Sequence, residues 1–289
     1  MRMVKKSGFI IFLLSTTFLG TQAQEWTGDI FVGTANYTGD LLEKRYTMAN
    51  SHLAIGLGGG YRFNGHFRVR AMLTFGKITA DDKDNKDQFL KARNLNFFSN
   101  ISELSVTAHY DFLDLSFHRV TPYVFGGLSI FRFNPYTYDT LGNKVMLKPL
   151  STEGQGMAAY PNRKPYSLTQ LSIPFGAGIK FAINESITLA WEVGLRKTFT
   201  DYLDDLSTTY VDESTLLAER GPVAVELAYR GDELKNSPGS YPASGTIRGG
   251  PDYKDWYYFS GVTASYTLPF GSSHKDSKKG STDCPRPVF

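Results

Sequence analysis

The chain has 289 residues, a formal net charge of +3 and one cysteine, with 14% aromatic residues and 28 glycines. So small a charge argues against a nucleic-acid partner, and a single cysteine excludes an internal disulfide. Mean hydropathy is slightly negative at −0.26, and beyond the N-terminus no apolar run is long enough for a spanning helix.

In chain order, Lys5 and Lys6 precede an apolar run from Phe9 to Leu19, and Thr21-Gln22-Ala23 supplies small residues for cleavage. This pattern predicts a secretory signal over 1–23, cut before Gln24. No cysteine sits at the cleavage site, so a lipoprotein is not expected. The segment 24–270 is predicted to be one domain and 271–289 a tail.

Eight stretches alternate apolar and polar residues: 26–38, 51–63, 66–78, 98–112, 120–133, 170–183, 186–199 and 256–270. The last is the clearest. Trp256, Tyr258, Val262, Ala264, Tyr266, Leu268 and Phe270 share one face, and Gly261, Thr263, Ser265 and Thr267 the other. Soluble strands average about five or six residues. Runs this long, with aromatic ends, suit membrane-crossing strands of a β-barrel. The first and fifth stretches are harder to phase. Connections alternate between short (64–65, 113–119, 184–185) and long (39–50, 79–97, 134–169, 200–255). That is the arrangement of outer-membrane barrels, with short periplasmic turns and long extracellular loops. The fold class predicted is therefore all-β: an eight-stranded antiparallel transmembrane β-barrel, with outer-membrane lipid around it. Both termini are expected in the periplasm. A soluble β-sandwich is the alternative, because antiparallel patterns overlap.

The phasing puts Arg62, Arg68, Arg70, Glu103, His109, Asp111, Lys180, Glu192 and Arg196 on the face away from lipid. In lipid, each would cost about 2–4 kcal/mol at the midplane. Eight strands enclose a lumen just wide enough for side chains. The expectation is a plugged barrel with an ion-pair network of Arg68, Arg70, Glu103, Asp111, Glu192 and Arg196. Within it, Arg68 or Arg70 is expected to meet Glu103 or Asp111 on the neighbouring strand.

No catalytic motif stands out. There is no Gly-x-Ser-x-Gly elbow, no His-Glu-x-x-His and no phosphate loop. His109 with Asp111 and Glu103 could be a base and its orienters, but no nucleophile stands near, so a structural lumen histidine is preferred. Asp201, Asp204 and Asp205 could bind calcium, yet their spacing is not that of an EF-hand loop. Carboxylates capping nearby backbone amides are the preferred reading. No enzyme activity, cofactor or metal is expected. Within the last long loop, 212–220 and 222–229 are predicted to be short helices, with Asp212 at the first N-terminus.

Three loop segments are more distinctive than barrel loops need. They are Thr152-Glu153-Gly154-Gln155-Gly156 after Leu150-Ser151, Asp201-Tyr202-Leu203-Asp204-Asp205-Leu206-Ser207-Thr208 after Thr198-Phe199-Thr200, and Arg248-Gly249-Gly250 leading to Trp256. With Asn36-Tyr37-Thr38-Gly39-Asp40-Leu41, Thr121–Gly126 and Ile173–Ile179, they resemble the PorG-like outer-membrane barrels of the type IX secretion system. The resemblance runs over nearly the whole mature chain. The pair Gly249-Gly250 and the extended tail depart from the family pattern. The resemblance implies a non-enzymatic tether for a periplasmic ring of PorK and PorN, in a machine that exports proteins and in some bacteria supports gliding motility. The alternatives are an unrelated barrel acting as adhesin or envelope-stability protein, and a lipid-modifying barrel enzyme.

The tail carries Lys275, Lys278, Lys279, Arg286 and Cys284. One reading is an inert, disordered tail. The other is docking on the ring, with its cations steering toward an acidic surface and Cys284 forming an intermolecular disulfide.

Overall fold

The computed structural model describes residues 25–41, 50–85, 87–235, 240–250 and 254–269. The predicted signal, its cleavage point and the tail with Lys275, Lys278, Lys279, Cys284 and Arg286 lie outside the described residues. Among the described residues ten strands form: β1 (Glu25–Thr38), β2 (His52–Arg62), β3 (Phe67–Asp81), β4 (Asn96–Asp111), β5 (Val120–Arg132), β6 (Pro135–Tyr138), β7 (Lys144–Met146), β8 (Thr169–Ala182), β9 (Ile187–Thr198) and β10 (Trp256–Thr267). Three α-helices accompany them: α1 (Gln88–Arg93), α2 (Glu213–Arg220) and α3 (Pro222–Ala228).

Eight strands close into an antiparallel ring in the order β1-β2-β3-β4-β5-β8-β9-β10, with β10 paired back to β1. The two short strands are not part of the ring. β6 pairs with β4 beyond the end of β5, and β7 pairs with β6, so the wall is extended on the long-loop side. Thr27 lies opposite Thr267, so the first strand starts and the last strand finishes at the end where the short turns sit.

Following partners around the ring from Phe67 passes through Tyr110, Val124, Ala177, Val193, Ser260, Thr34 and Leu53. The register Ala54↔Gly76 then places Leu53 opposite Lys77. One circuit thus advances ten residues along β3 (77 − 67 = 10). With about 3.3 Å per residue and about 4.8 Å between strands, this stagger tilts the strands by about 41°. Each residue climbs about 2.5 Å along the barrel axis, and each strand step about 3 Å.

These heights bring scattered residues to common levels. Trp26, Tyr61, Phe63, Phe67, Tyr110 and Phe112 all fall near the level of Phe67, on the arc from β1 to β4, and make aromatic contacts along it. Trp26 to Tyr61 is 4.9 Å between centroids, Tyr61 to Phe63 4.8 Å, and Phe63 to Phe67 5.6 Å. Above this girdle the outward positions are apolar and exposed: Leu57 at 67%, Leu128 at 70% and Leu171 at 62%. A continuous apolar belt of this kind is unstable in water and suits hydrocarbon. It extends about 25 Å from Phe67 to Lys77, the height of an outer-membrane barrel's apolar band. Among the described residues no helix is long and apolar enough to cross a membrane; the crossing is made by strands.

The inward positions hold the core. Phe31, Tyr123, Phe125, Phe131, Tyr257 and Phe259 project into the lumen with the buried charges. Glycines make room for them. A Cβ on Gly176 or Gly194 would come within 2.7 or 2.8 Å of the Phe125 ring.

Candidate functional site

Inside the barrel the charges form a ladder along the axis. Lowest, Lys180 Nζ on β8 lies 2.5 Å from Asp111 Oδ1 on β4. Next, Arg68 on β3 pairs with Asp29 on β1 and donates to Thr27 Oγ1 at 2.5 Å. Above it, Arg70 meets Glu192 on β9 with two bonds of 3.1 and 2.9 Å, and the Tyr123 hydroxyl donates to the same carboxylate at 2.5 Å. Highest, Arg196 on β9 reaches Glu103 on β4 at 3.1 Å, and the Tyr257 hydroxyl donates to Glu103 at 2.6 Å. Every side chain in the four pairs is less than 10% exposed. Arg62 sits at the short-turn rim, 3.9 Å from Glu25.

The structure brings together all six network residues of the sequence reading but changes the partners. Neither Arg68 nor Arg70 meets Glu103 or Asp111. Directly across β3–β4, Arg68 faces His109 and Arg70 faces Thr107. The lumen is narrow, so long side chains find partners across it more readily than beside them. β3 and β9 stand four strands apart in a ring of eight, so Arg70 and Glu192 bridge the full bore. Arg68 reaches Asp29 over β2, where Gly60 leaves the path open; a Cβ there would lie 2.4 Å from Arg68 Nε. Asp29 and Lys180 complete the ladder. β1 resisted phasing because Phe31, Ala35 and Tyr37 make its inward face apolar too. His109 stacks on Tyr123 and Phe125 at 5.6 and 5.1 Å and bonds Thr107 Oγ1 at 2.9 Å. That is a packed lumen residue.

At the long-loop end a cap covers the mouth. It joins the loop between β5 and β8 to the loop between β9 and β10. Glu153 is fully buried and accepts four bonds: from the amides of Ser207 (3.0 Å) and Thr208 (2.9 Å), from Thr208 Oγ1 (2.7 Å) and from Arg248 (3.1 Å). Arg248 also donates to the carbonyls of Asp205 (2.7 Å) and Ala228 (3.1 Å). Asp205 accepts from Thr152 Oγ1 (2.5 Å) and Tyr166 (2.7 Å). Tyr202 stacks on Tyr166 at 4.7 Å. Gly154 and Gly156 take φ of +80° and +73°, left-handed conformations that favour glycine. Gln155 Oε1 accepts from the Glu153 amide at 3.1 Å and closes the turn. The motif residues Thr152, Glu153, Gly154, Gln155, Gly156, Asp201, Tyr202, Asp204 and Asp205 thus converge in one cap.

Tyr37, Asp40, Arg93 and Asp255 join them. The Tyr37 hydroxyl lies 2.6 Å from Asp204 Oδ2 and 2.9 Å from Asp255 Oδ1. One hydroxyl carries one proton, so holding both contacts needs one carboxyl to keep its own. In agreement, burial, reinforced by neighbouring carboxylates, pushes both Asp204 and Asp255 well above the ordinary carboxylate range. Burial also lifts Asp201 to about 7 and Asp205 to about 6. Arg93 ties in α1: it pairs with Asp82 at 2.7 Å and donates to the Asp40 and Arg248 carbonyls. The acids face hydroxyls and amides, as capped turns do: Ser207 Oγ on Asp201, Leu206 N on Asp204 and Leu203 N on Asp255. Among the described residues no group of three or more His, Cys, Asp or Glu has metal-holding geometry. Asp212 caps α2 by accepting from Thr215 N at 2.9 Å, and α2 and α3 pack Leu216, Ala224 and Ala228 on Met157 and Val211.

A closed ring of eight tilted strands with a lipid-matched belt, filled lumen and capped mouth defines an outer-membrane-type β-barrel. The chain belongs to the family described as domain of unknown function DUF6089, which matches residues 5–218. No curated protein matches it. Among solved structures it is similar to a major outer membrane protein from Thermus thermophilus, at 12% identity and a TM-score of 0.40 over 86% of this chain and 100% of that one. It is also similar to Neisserial surface protein A (11%, 0.39, 85% and 97%) and to OprG from Pseudomonas aeruginosa (12%, 0.39, 85% and 98%). At such identities and scores these likenesses carry nothing about function.

Proposed function

We propose that this barrel is a non-enzymatic outer-membrane component of the type IX secretion system, holding the periplasmic PorK/PorN ring against the membrane. The observation that carries the reading is the cap. The Thr152–Gly156 and Asp201–Thr208 segments that resemble PorG-like barrels are locked to one another over a lumen filled by rings and ion pairs. A bore so filled suits a scaffold rather than a conduit, and its one histidine is packed among rings with no nucleophile beside it. The loop end faces outward and both termini the periplasm, where the short turns and the tail are available to a ring. Gliding motility would then be a downstream phenotype of the same anchoring.

Affinity purification of the tagged barrel from detergent-solubilised outer membranes tests this. Ring components co-purify, and deletion of 271–289 with Cys284→Ser separates the tail from the turns as the contact. Recovery of the barrel without any ring component, from cells that assemble the ring, would sink the reading. The ordered outward cap favours an adhesin as the second reading; in that case charge changes on the cap surface abolish attachment and leave export intact.

A further inference from the structure

The β6–β7 hairpin lengthens the wall on the loop side, and the cap does not account for its outer face. Phe98 on β4 lies opposite Tyr136 on β6, and their rings stack at 5.6 Å. Both rings are on the outside of the wall, since Phe97 and Ser99, which flank Phe98, are fully buried. Two lysines converge on the pair, one from each neighbouring strand. Lys77 on β3 holds its ammonium 4.5 Å from the Phe98 centroid and 5.9 Å from that of Tyr136. Lys144 on β7 holds its own 3.8 Å from the Tyr136 centroid. Aromatic faces attract cations but carry no net charge, so both ammoniums are held in place and left unneutralised. Neither lysine makes an ion pair with another described residue. The acids nearest them in sequence on this wall are engaged: Asp81 pairs with Lys83 at 2.7 Å, and Asp139 accepts from the Asn143 amide at 2.7 Å and from its side-chain nitrogen at 3.0 Å.

The two ammoniums flank one ring on adjacent strands, so one anion can meet both. Measured through the Tyr136 centroid they lie no more than about 10 Å apart, and a phosphate accepting from two ammoniums spans about 8 Å. A phosphomonoester carries close to two negative charges at neutral pH, matching the two cations; a diester carries one. Depth points to the source. Lys77 stands at the loop-side end of the apolar band, and Phe98 lies opposite Thr79, two residues beyond it. The cluster therefore sits in the headgroup layer of the loop-side leaflet. Below it on the same two strands, outward Phe75 and Leu104 are 47% and 51% exposed and offer acyl chains a surface.

We propose that Lys77 and Lys144 form a site on the barrel exterior for the phosphomonoester headgroup of a lipid in the loop-side leaflet. The site rests on the membrane placement of the barrel and not on the secretion role, so the two can fail separately. Full-length protein in non-ionic detergent is titrated with three lipids: an acylated glucosamine disaccharide bearing one phosphomonoester, its phosphate-free form, and phosphatidylglycerol, a diester. Bound lipid is counted by native mass spectrometry, with inorganic phosphate as competitor. The monoester binds tightest and the phosphate-free form weakest, and millimolar phosphate does not displace it. At roughly fivefold per cation, Lys77→Gln with Lys144→Gln weakens binding about thirtyfold. Lys197→Gln, which removes an exposed cation from β9, four strands away on the opposite wall, leaves binding unchanged. Heat-shifted electrophoresis confirms folding. If the double variant misfolds, Lys144→Gln alone, on a strand outside the ring, weakens binding about fivefold. Equal binding of the three lipids, displacement by phosphate, an equal loss in Lys197→Gln, or full affinity in a folded Lys144 variant overturns the site.

Discussion

Glu153→Ala is the sharpest test of how the cap is held. The carboxylate accepts four bonds from the facing loop, one of them from Arg248, which is 3% exposed. Hydrogen bonds to a charged group contribute about 1.5–3 kcal/mol each. Their plain sum overshoots, because the four act as one unit. The better measure is the cost of stranding a buried partner: about 3–5 kcal/mol when one member of a buried ion pair is removed. Arg248 keeps two carbonyl acceptors, which pulls the value toward the lower bound. The loss falls on the cap alone, since the barrel ladders do not pass through Glu153. Local opening therefore becomes roughly a hundredfold to several thousandfold more frequent, at about 1.4 kcal/mol per tenfold. Hydrogen exchange read by mass spectrometry on peptides covering 148–166 and 200–210 reports this directly. Both peptides exchange faster in the variant, and those from β3, β4 and β9 do not. Glu153→Gln keeps the shape and one acceptor oxygen and falls between. Wild-type exchange in both loops of the Glu153→Ala protein would refute the idea that this carboxylate joins them.

Three further outcomes follow from the same geometry. Glu103→Ala strands Arg196 and the Tyr257 hydroxyl in the lumen and lowers urea stability in vesicles by about 3–5 kcal/mol; an unchanged midpoint would mean that water reaches Arg196. Gly60→Ala drives a methyl toward Arg68 Nε and costs about 1–3 kcal/mol. Gly28→Ala, where nothing lies within 4 Å, stays within about 0.5 kcal/mol on the same denaturant curve. Acid stabilises the cap. Asp201 is raised from 3.8 to about 7, so between these values the folded cap holds a proton that the opened chain has released, and stability falls as pH rises through that window. Asp204 and Asp255, also held well above the ordinary carboxylate range by burial and by neighbouring carboxylates, act in the same direction. Opening free energies of the two loops from exchange at pH 5 and pH 8, corrected for intrinsic rates, check the sign. A cap more stable at pH 8 contradicts it.

The barrel was legible in the sequence because lipid enforces a period of two. Leu53, Ile55 and Leu57 face hydrocarbon, and Arg68 and Arg70 cannot, so alternation places eight strands to within three residues at each end, most to within one or two. The helix cap at Asp212 was legible for an equally local reason: a carboxylate beside a free N–H of the first turn. β6, β7 and α1 were not, since none carries a lipid face or a length beyond six residues to announce it. The loop motifs showed their turn chemistry through Gly154, Gly156 and the aspartates, but not that Glu153 and Arg248, 95 residues apart, share one buried contact. The ion-pair partners were decided only by closure. Alternation says which face a charge occupies. The stagger of ten residues and the width of an eight-stranded bore decide its height and what stands across from it. That is why Arg70 finds Glu192 on the far wall rather than Glu103 on the strand beside it.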